Sequence, residues 1–439
     1  MVAVAAASAL TVFYGPGAYG SGVADIVATL NGVNLPGVLT FPTFLTKTLA
    51  STLAVIGGLC VGKEGPLAHI GANIGVAVAY LPLPYYQHLR NDKSKRHLIA
   101  AGASAGIAAA FGAPVGGALL TYELSRPATF WTFKTTWKVF MACATSVMAL
   151  ALCQDLMLYG EVRNVSASTL NFVYGDQLTN ATIKTIPACL VNGLICGVLG
   201  AVFVKLNFKL AAYRRRYLNN PWLRVAEAIF FSLLTTSSFF WLPKFFRADC
   251  VERSAVNDFN KDLIVRYNCP EGKYNPFATL FFSTEGDALR SILSNFETDG
   301  GIGGNLMHFR IFACTWYALT TMSYGVWVPA GLFVPAIVIG SSIGAVMEMT
   351  YQKVFEYKLE TPQDYLIAEV PILVSAAAML TAQFRITFSL VVIMMETTAS
   401  IHIFAPMMFG CIVASQVADR ISPSFYEKTM ATKKVQFLP

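Results

Sequence analysis

The chain carries seven apolar runs, at residues 45–60, 98–120, 139–153, 186–204, 226–242, 332–347 and 386–417. Glycine and proline interrupt many of them. Only 13% of the residues are charged, against about 25% in an ordinary soluble domain. Inside a bilayer the backbone must satisfy its own polar groups, so a spanning segment is helical, and about 20 residues cross the hydrocarbon. The chain is therefore read as an all-α polytopic membrane protein. Breaks at membrane depth are tolerated only where the backbone lines a cavity or is buried in protein, as in AGASAGIAAAFGAPVGGAL (residues 101–119). Runs this short and this broken predict tilted, interrupted helices of the transporter type.

Charge placement sets orientation. RNDKSKRH (residues 90–97) and YRRRYLNN (residues 213–220) are short basic loops, cytoplasmic under the positive-inside rule. The segments around 164–184 and 247–297 then lie on the opposite side. The first holds sequons at Asn164 and Asn180, candidate glycosylation sites. The second holds Cys250 and Cys269, which leave two readings open: a disulfide on the non-cytoplasmic side, or two free thiols. The first segment, up to Gly15 and Pro16, is short for a full span and lacks the basic start of a signal peptide.

An internal repeat runs through the chain. When GKEGPLAHIGANIG (residues 62–75) is set over GLFVPAIVIGSSIG (residues 331–344), Gly62 matches Gly331, Pro66 matches Pro335 and Ile70 matches Ile339. Gly71, Ile74 and Gly75 likewise match Gly340, Ile343 and Gly344. At nearly the same offset, LLTYE ending at Glu123 falls over VIMME ending at Glu396. The chain thus reads as two related halves, about 1–208 and about 220–439. Proline favours the first turn of a helix, so Pro66 and Pro335 mark half-helices that start inside the membrane. A helix N-terminus presents free N–H groups and partial positive charge, and two converging ones make an anion site. Gly20, Ser21 and Gly22 precede a third helical pattern and offer a hydroxyl and exposed amides.

Lys63 and Glu64 stand at the head of the first repeat segment, where a charge is expensive unless it has a function. Side chains of adjacent helical residues point apart, which disfavours simple pairing of the two. Glu396 is read as a structural partner and Arg385 as a stabiliser of helix ends.

GSG at 20–22, GKEGP at 62–66 and GLFVP at 331–335, followed by Tyr426 in SPSFYEK, resemble the signature segments of the CLC family of chloride channels and chloride/proton exchangers, in family order. The likeness covers nearly the whole chain. CPEGKYNPFATLFFST (residues 269–284) and SLVVIMMET (residues 389–397) look most like the eukaryotic lysosomal and vacuolar branch. The resemblance implies the CLC-type inverted-repeat fold and a homodimer with one anion pathway per subunit. It also implies residence in an endomembrane in preference to the plasma membrane. The anion site would use Ser21, Gly22, Lys63, Glu64, Gly65, Leu332, Phe333 and Tyr426. Within it, the Ser21 and Tyr426 hydroxyls and the N–H groups of Leu332 and Phe333 would bind the ion, and Lys63 would add positive potential. Bound chloride is the expected ligand, with chloride and protons as the transported species and membrane lipid as the surroundings. Glu64 would be the gate, occupying the anion's own site when ionised and swinging away when protonated. Voltage and pH would then act on one equilibrium.

Three departures matter. Exchangers of this family carry two adjacent glutamates where this chain reads GGALLTYELSRP (residues 116–127). Glu123 takes the first place and Leu124 the second, which in exchangers passes protons from the cytoplasm. Leucine carries no proton, so channel-like conduction is the preferred reading and exchange the alternative, with Glu123 as the proton-transfer candidate. Ala24 stands where the family has proline, and Asp25 where glutamate is common. The family's first helices are expected to be missing or unusual, and within these residues no paired CBS modules and no ATP site are expected.

Other classes fit less well. A carrier of an organic carboxylate would also use half-helix N-termini. An enzyme is not expected: the five histidines lack metal-ligand spacing, and no GxSxG element or phosphate-binding loop is present. No cofactor, metal or nucleic-acid partner is predicted.

Overall fold

The computed structural model describes residues 1–82, 87, 89–125, 131–159, 181–246, 250–253, 261–296, 303–356, 362–398, 400–401 and 403–435. The sequons at Asn164 and Asn180 lie outside the described residues, as do His88 and His402.

The described residues are almost wholly helical. In chain order the first half holds α1 (Val2–Ala9), α2 (Val23–Leu30), α3 (Phe41–Ile56), α4 (Glu64–Ala79), α5 (Asp92–Phe111), α6 (Pro114–Leu124), α7 (Phe133–Tyr159) and α8 (Ala181–Tyr217). The second holds α9 (Pro221–Phe245), α10 (Pro276–Phe282), α11 (Glu285–Ser294), α12 (Leu306–Ser323), α13 (Phe333–Val354), α14 (Pro362–Phe384), α15 (Phe388–Thr398), α16 (Phe404–Ile421) and α17 (Phe425–Thr432). A two-residue antiparallel pair, β1 (Val251–Glu252) and β2 (Lys273–Tyr274), is the exception. Among the described residues, four helices are long and apolar enough to cross a membrane: Phe133–Met157, Thr185–Tyr217, Pro221–Phe245 and Phe333–Val354. Several others are shorter than a full span, as the broken apolar runs predict.

The breaks fall where local chemistry demands them. The run 98–120 is cut at Gly112, which takes a left-handed conformation (φ 67°) at the end of α5 before Pro114 opens α6. The run 386–417 divides into α15 and α16. Asn220 caps α9, accepting a bond from the Trp222 amide at 3.0 Å, and Pro221 takes the first helical position.

The two repeat segments pack alike. In α4, a Cβ on Gly71 would stand 2.1 Å from the Gly102 carbonyl oxygen of α5, and one on Gly75 would stand 2.2 Å from that of Leu98. In α13, a Cβ on Gly340 would stand 2.5 Å from the Ser375 carbonyl oxygen of α14, and one on Gly344 would stand 2.7 Å from Ile372 Cα. The matched glycines thus let each half-helix lie backbone to backbone on the next helix.

Four details sharpen the sequence reading. Residue 208, read as the approximate end of the first half, lies inside α8, which continues to Tyr217. Arg214, read as part of a basic loop, is instead buried. It pairs with Glu227 at 2.5 Å and donates to the carbonyls of Met322 and Tyr324, closing the C-terminal end of α12. A helix end leaves four carbonyls unsatisfied, and the guanidinium fork meets two carbonyls at this end. Cys250 and Cys269 form a disulfide with Cα atoms 5.9 Å apart, which resolves the open pairing and clamps the β1–β2 loop. Arg385 does stabilise helix ends: it donates to Ala382 O of α14, to Ser422 O just after α16 at 2.6 Å, and to Asp419.

Candidate functional site

Three helix N-termini meet in the interior. α4 opens at Glu64 with Lys63 as its N-cap (φ −99°, ψ −17°), and α13 opens at Phe333 with Leu332 as its N-cap (φ −112°, ψ −8°). The repeat therefore places Glu64 and Phe333 at equivalent first positions, with the matched prolines two residues on. Gly62 and Gly331 tie the two N-termini together: the Gly62 amide donates to Gly331 O at 2.9 Å, and the Gly331 amide to Gly62 O at 2.8 Å. The third N-terminus is that of α2, whose N-cap Gly22 has φ 80°.

Ser21 sits against the head of α4. A Cβ on Gly65 would stand 2.8 Å from Ser21 Cβ and 3.5 Å from Gly331 Cα. Gly65 thus has no room for a side chain, and the turn ahead of α2, the head of α4 and Gly331 ahead of α13 meet at one point. The amides of Glu64, Gly65, Leu332 and Phe333 have no backbone carbonyl partner among the described residues, as expected at helix starts. Each N-terminus adds about half a unit of positive charge.

Glu64 lies in this junction, 3% exposed. Its Oε2 is buried without a hydrogen-bond partner among the described residues. The backbone N–H groups of Lys63, Glu64 and Val334 face its carboxyl group, so the heads of both repeats converge on one carboxylate. Lys63 turns outward and is exposed, and the two side chains form no ion pair. Glu285, at the head of α11, also faces Glu64 and Lys63.

Tyr426 reaches the same region from α17. It is 5% exposed, and its hydroxyl is buried without a partner among the described residues. Its ring packs on Phe384 (centroids 4.9 Å apart), which stacks on Phe333 at 5.0 Å. Beyond Tyr426 lies a cavity of about 50 Å³ whose wall includes Val27, Glu123, Leu124, Phe384, Arg385 and Glu427. Leu124 therefore faces the space next to Tyr426. Glu123, beside it, is fully engaged. Its Oε1 accepts from the Thr387 amide at 2.9 Å and from Thr387 Oγ1 at 3.2 Å; its Oε2 accepts from the Ser389 amide at 3.2 Å and from Ser389 Oγ. Glu427 caps its own helix through Ser424.

The structure adds residues that the sequence reading passed over. Lys47, within the run 45–60, is completely buried, and its Nζ has no hydrogen-bond partner among the described residues. A Cβ on Gly22 would stand 2.6 Å from that Nζ and 2.6 Å from His69 Cγ, so the lysine amino group stands directly behind the Ser21–Gly22 turn. A lone lysine inside an apolar run was the available signal. Phe384 had none, because only the return of α14 toward α17 brings it to Tyr426.

Chemically, amide N–H groups and hydroxyls converge on a buried point of positive potential at the helix starts, with the Lys47 amino group one layer away. Such a point suits an anion without a full charge in contact, and the carboxyl group of Glu64 lies there.

Comparison with known proteins agrees with this geometry. The profile of the family described as voltage gated chloride channel matches residues 3–419. The chain is 33% identical over 441 residues to H(+)/Cl(-) exchange transporter 7 of Mus musculus, covering 98% of this chain and 53% of that protein. It is 31% identical over 445 residues to chloride channel protein C of Dictyostelium discoideum, covering 98% of this chain and 56% of the relative. The chain thus spans about half the length of the curated relatives it matches. Its fold is that of a slow cyanobacterial Cl-/H+ antiporter seen by crystallography, with a TM-score of 0.72, 21% identity, and coverage of 99% of this chain and 86% of that one. This is an integral membrane protein of the CLC inverted-repeat fold, and the chain belongs to the voltage gated chloride channel family.

Proposed function

We propose that the protein carries chloride across a membrane through the junction of α2, α4 and α13, with Glu64 as the gate. The observation that carries this reading is a buried carboxylate with an unpartnered oxygen at the point where two helix N-termini converge. An ionised Glu64 competes with chloride for the same N–H groups. Protonation removes its charge and frees the site. Ser21, Gly22, Gly65, Leu332, Phe333 and Tyr426 supply the remaining contacts, and Lys63 adds potential from the surface.

Conduction is channel-like on this reading. Leu124 occupies the cavity wall where an inner proton acceptor would stand, and the carboxylate of Glu123 is already held by four hydrogen bonds. A second reading, chloride/proton exchange, draws support from the mouse relative's name and from the antiporter fold neighbour. The working unit is a homodimer, and an endomembrane of the lysosomal or vacuolar type is the expected location.

The test is flux from liposomes that contain the full-length gene product. A chloride gradient is imposed and external pH is recorded with and without a proton ionophore. Chloride efflux with a shunt ion and no uphill proton movement supports channel-like conduction. Uphill proton movement driven by chloride establishes exchange in its place. An absence of chloride flux from a well-folded dimer overturns both readings.

A further inference from the structure

A trough runs along the outside of the molecule between α9 and α12 and shares no residue with the anion junction. It holds about 790 Å³, and its wall includes Leu234, Trp241 and Phe245 of α9 and Cys314, Ala318 and Met322 of α12. Trp241 is 43% exposed and Phe245 73%. The hydroxyl of Ser238, also in the wall, is turned back onto Leu234 O at 2.7 Å. The trough is therefore an open hydrocarbon surface on a helix long and apolar enough to cross a membrane.

Side-chain contacts fix its depth. Arg214 stands near the end of α8, which the basic run 213–220 assigns to the cytoplasmic side. Its guanidinium lies 5.4 Å from the centre of the Phe231 ring and donates to the carbonyls of Met322 and Tyr324. Phe231 of α9 is thus level with the end of α12. Further along α9, the Phe239 ring meets Trp316, further back along α12, at 5.7 Å. The two helices run antiparallel, and the same register brings Phe245 level with Arg310. That end is the non-cytoplasmic one, where Tyr267 of the Cys250–Cys269 loop donates to Phe240 O at 3.3 Å. From Leu234 to Phe245 the trough is about 16 Å long at 1.5 Å per residue, close to the hydrocarbon depth of one leaflet.

Basic side chains stand at this outer end. Lys244, one turn beyond Trp241, is exposed, and its Nζ lies 4.7 Å from the centre of the Trp241 ring. Arg310 is exposed one turn before Cys314. Residues four apart share a helix face, so Arg310 heads the stripe that continues through Cys314, Ala318 and Met322. Tryptophan is favoured where hydrocarbon meets headgroups, and a long basic side chain there reaches outward to the polar layer.

We propose that the trough binds an anionic phospholipid of the non-cytoplasmic leaflet, with an acyl chain along the α9–α12 wall and the phosphate held by Lys244 and Arg310. Any groove in a bilayer fills with hydrocarbon, and a chain lying in this one gains close contacts on two sides. Charge at headgroup depth then selects the lipid. Both basic groups meet a net negative headgroup, whereas a zwitterionic headgroup brings its own cation to the same place. The guanidinium of Arg310 suits a phosphate through paired N–H donors. Each basic side chain near a membrane surface is worth about 5-fold in binding an anionic lipid.

The site is independent of the chloride reading, and its test needs no ion flux. The full-length protein is purified, stripped of lipid and given phosphatidylglycerol or phosphatidylcholine with identical acyl chains. Native mass spectrometry counts the lipid retained per subunit, and thermal unfolding in detergent reads the stabilisation that binding confers. The native protein should retain phosphatidylglycerol in preference to phosphatidylcholine and unfold at a higher temperature with it. Lys244→Gln and Arg310→Gln should each weaken phosphatidylglycerol about 5-fold and together about 25-fold, with phosphatidylcholine unchanged. Arg253→Gln, which removes an exposed charge of β1–β2 on the same side, should change neither. Ala318→Trp fills the trough and should lower phosphatidylglycerol retention with both basic groups in place. Equal retention of the two lipids by the native protein overturns the proposal, as does native-like phosphatidylglycerol retention in the double variant or in Ala318→Trp. An equal loss in Arg253→Gln, or a protein subunit found on this face in place of lipid, overturns it as well.

Discussion

Glu123 and Glu396 perform the same task for each other's half of the molecule. Glu123, at the end of α6, accepts the Thr387 and Ser389 amides at the head of α15. Glu396, near the end of α15, accepts the Val115 amide at 3.1 Å and the Gly116 amide at 2.7 Å, at the head of α6. Each carboxylate neutralises the partial positive charge of the opposite helix start, and the two repeats are cross-linked by a reciprocal pair of caps.

Loss of either cap should therefore cost stability first. Glu123→Ala or Glu396→Ala leaves two helix-start amides without their carboxylate acceptor, an expected destabilisation of about 1–2 kcal/mol. Thermal unfolding in detergent reads it directly. A midpoint equal to that of the native protein would remove the capping role.

Glu64→Gln should leave anion flux intact and make it nearly independent of pH. If Glu64 is the gate, acidification protonates it in the native protein, and flux should rise as pH falls. The variant mimics the protonated form and should sit at the high-flux limit throughout. Chloride efflux measured across a pH series in liposomes checks both statements, and a retained pH response in the variant would place the gate elsewhere.

Leu124→Glu puts a carboxyl group into the wall of the cavity beside Tyr426. If the missing inner acid limits proton coupling, chloride-driven uphill proton movement should appear or increase in this variant. Identical proton movement in the native protein and the variant would show that Leu124 does not set the coupling.

The Cys250–Cys269 bridge closes a short loop and should contribute about 3 kcal/mol to the order of the β1–β2 region. Thiol labelling of the folded protein should leave both cysteines unmodified until a reductant is added. After reduction, protease should cut this loop sooner. Labelling of either residue without reductant contradicts the bridge.

Much of the site was legible because the signals were local. A proline two residues inside a half-helix, a glycine ahead of it, and the same spacing again 269 residues later are properties of backbone geometry, and they placed Glu64, Gly65, Leu332 and Phe333 correctly at two helix starts. Apolar runs cut by Gly112 and Pro114 announced broken helices for the same reason. The sequence by itself determined a helical membrane fold, its repeat, and the chemistry at the heads of α4 and α13. Only the tertiary structure decided what surrounds them. It buried Lys47 behind Gly22, carried Phe384 to Tyr426, turned Arg214 inward onto α12 and engaged Glu123 in the opposite half. These relationships join residues up to hundreds of positions apart. They depend on how close two helices approach and which side chains then face each other, and no local pattern along the chain encodes that.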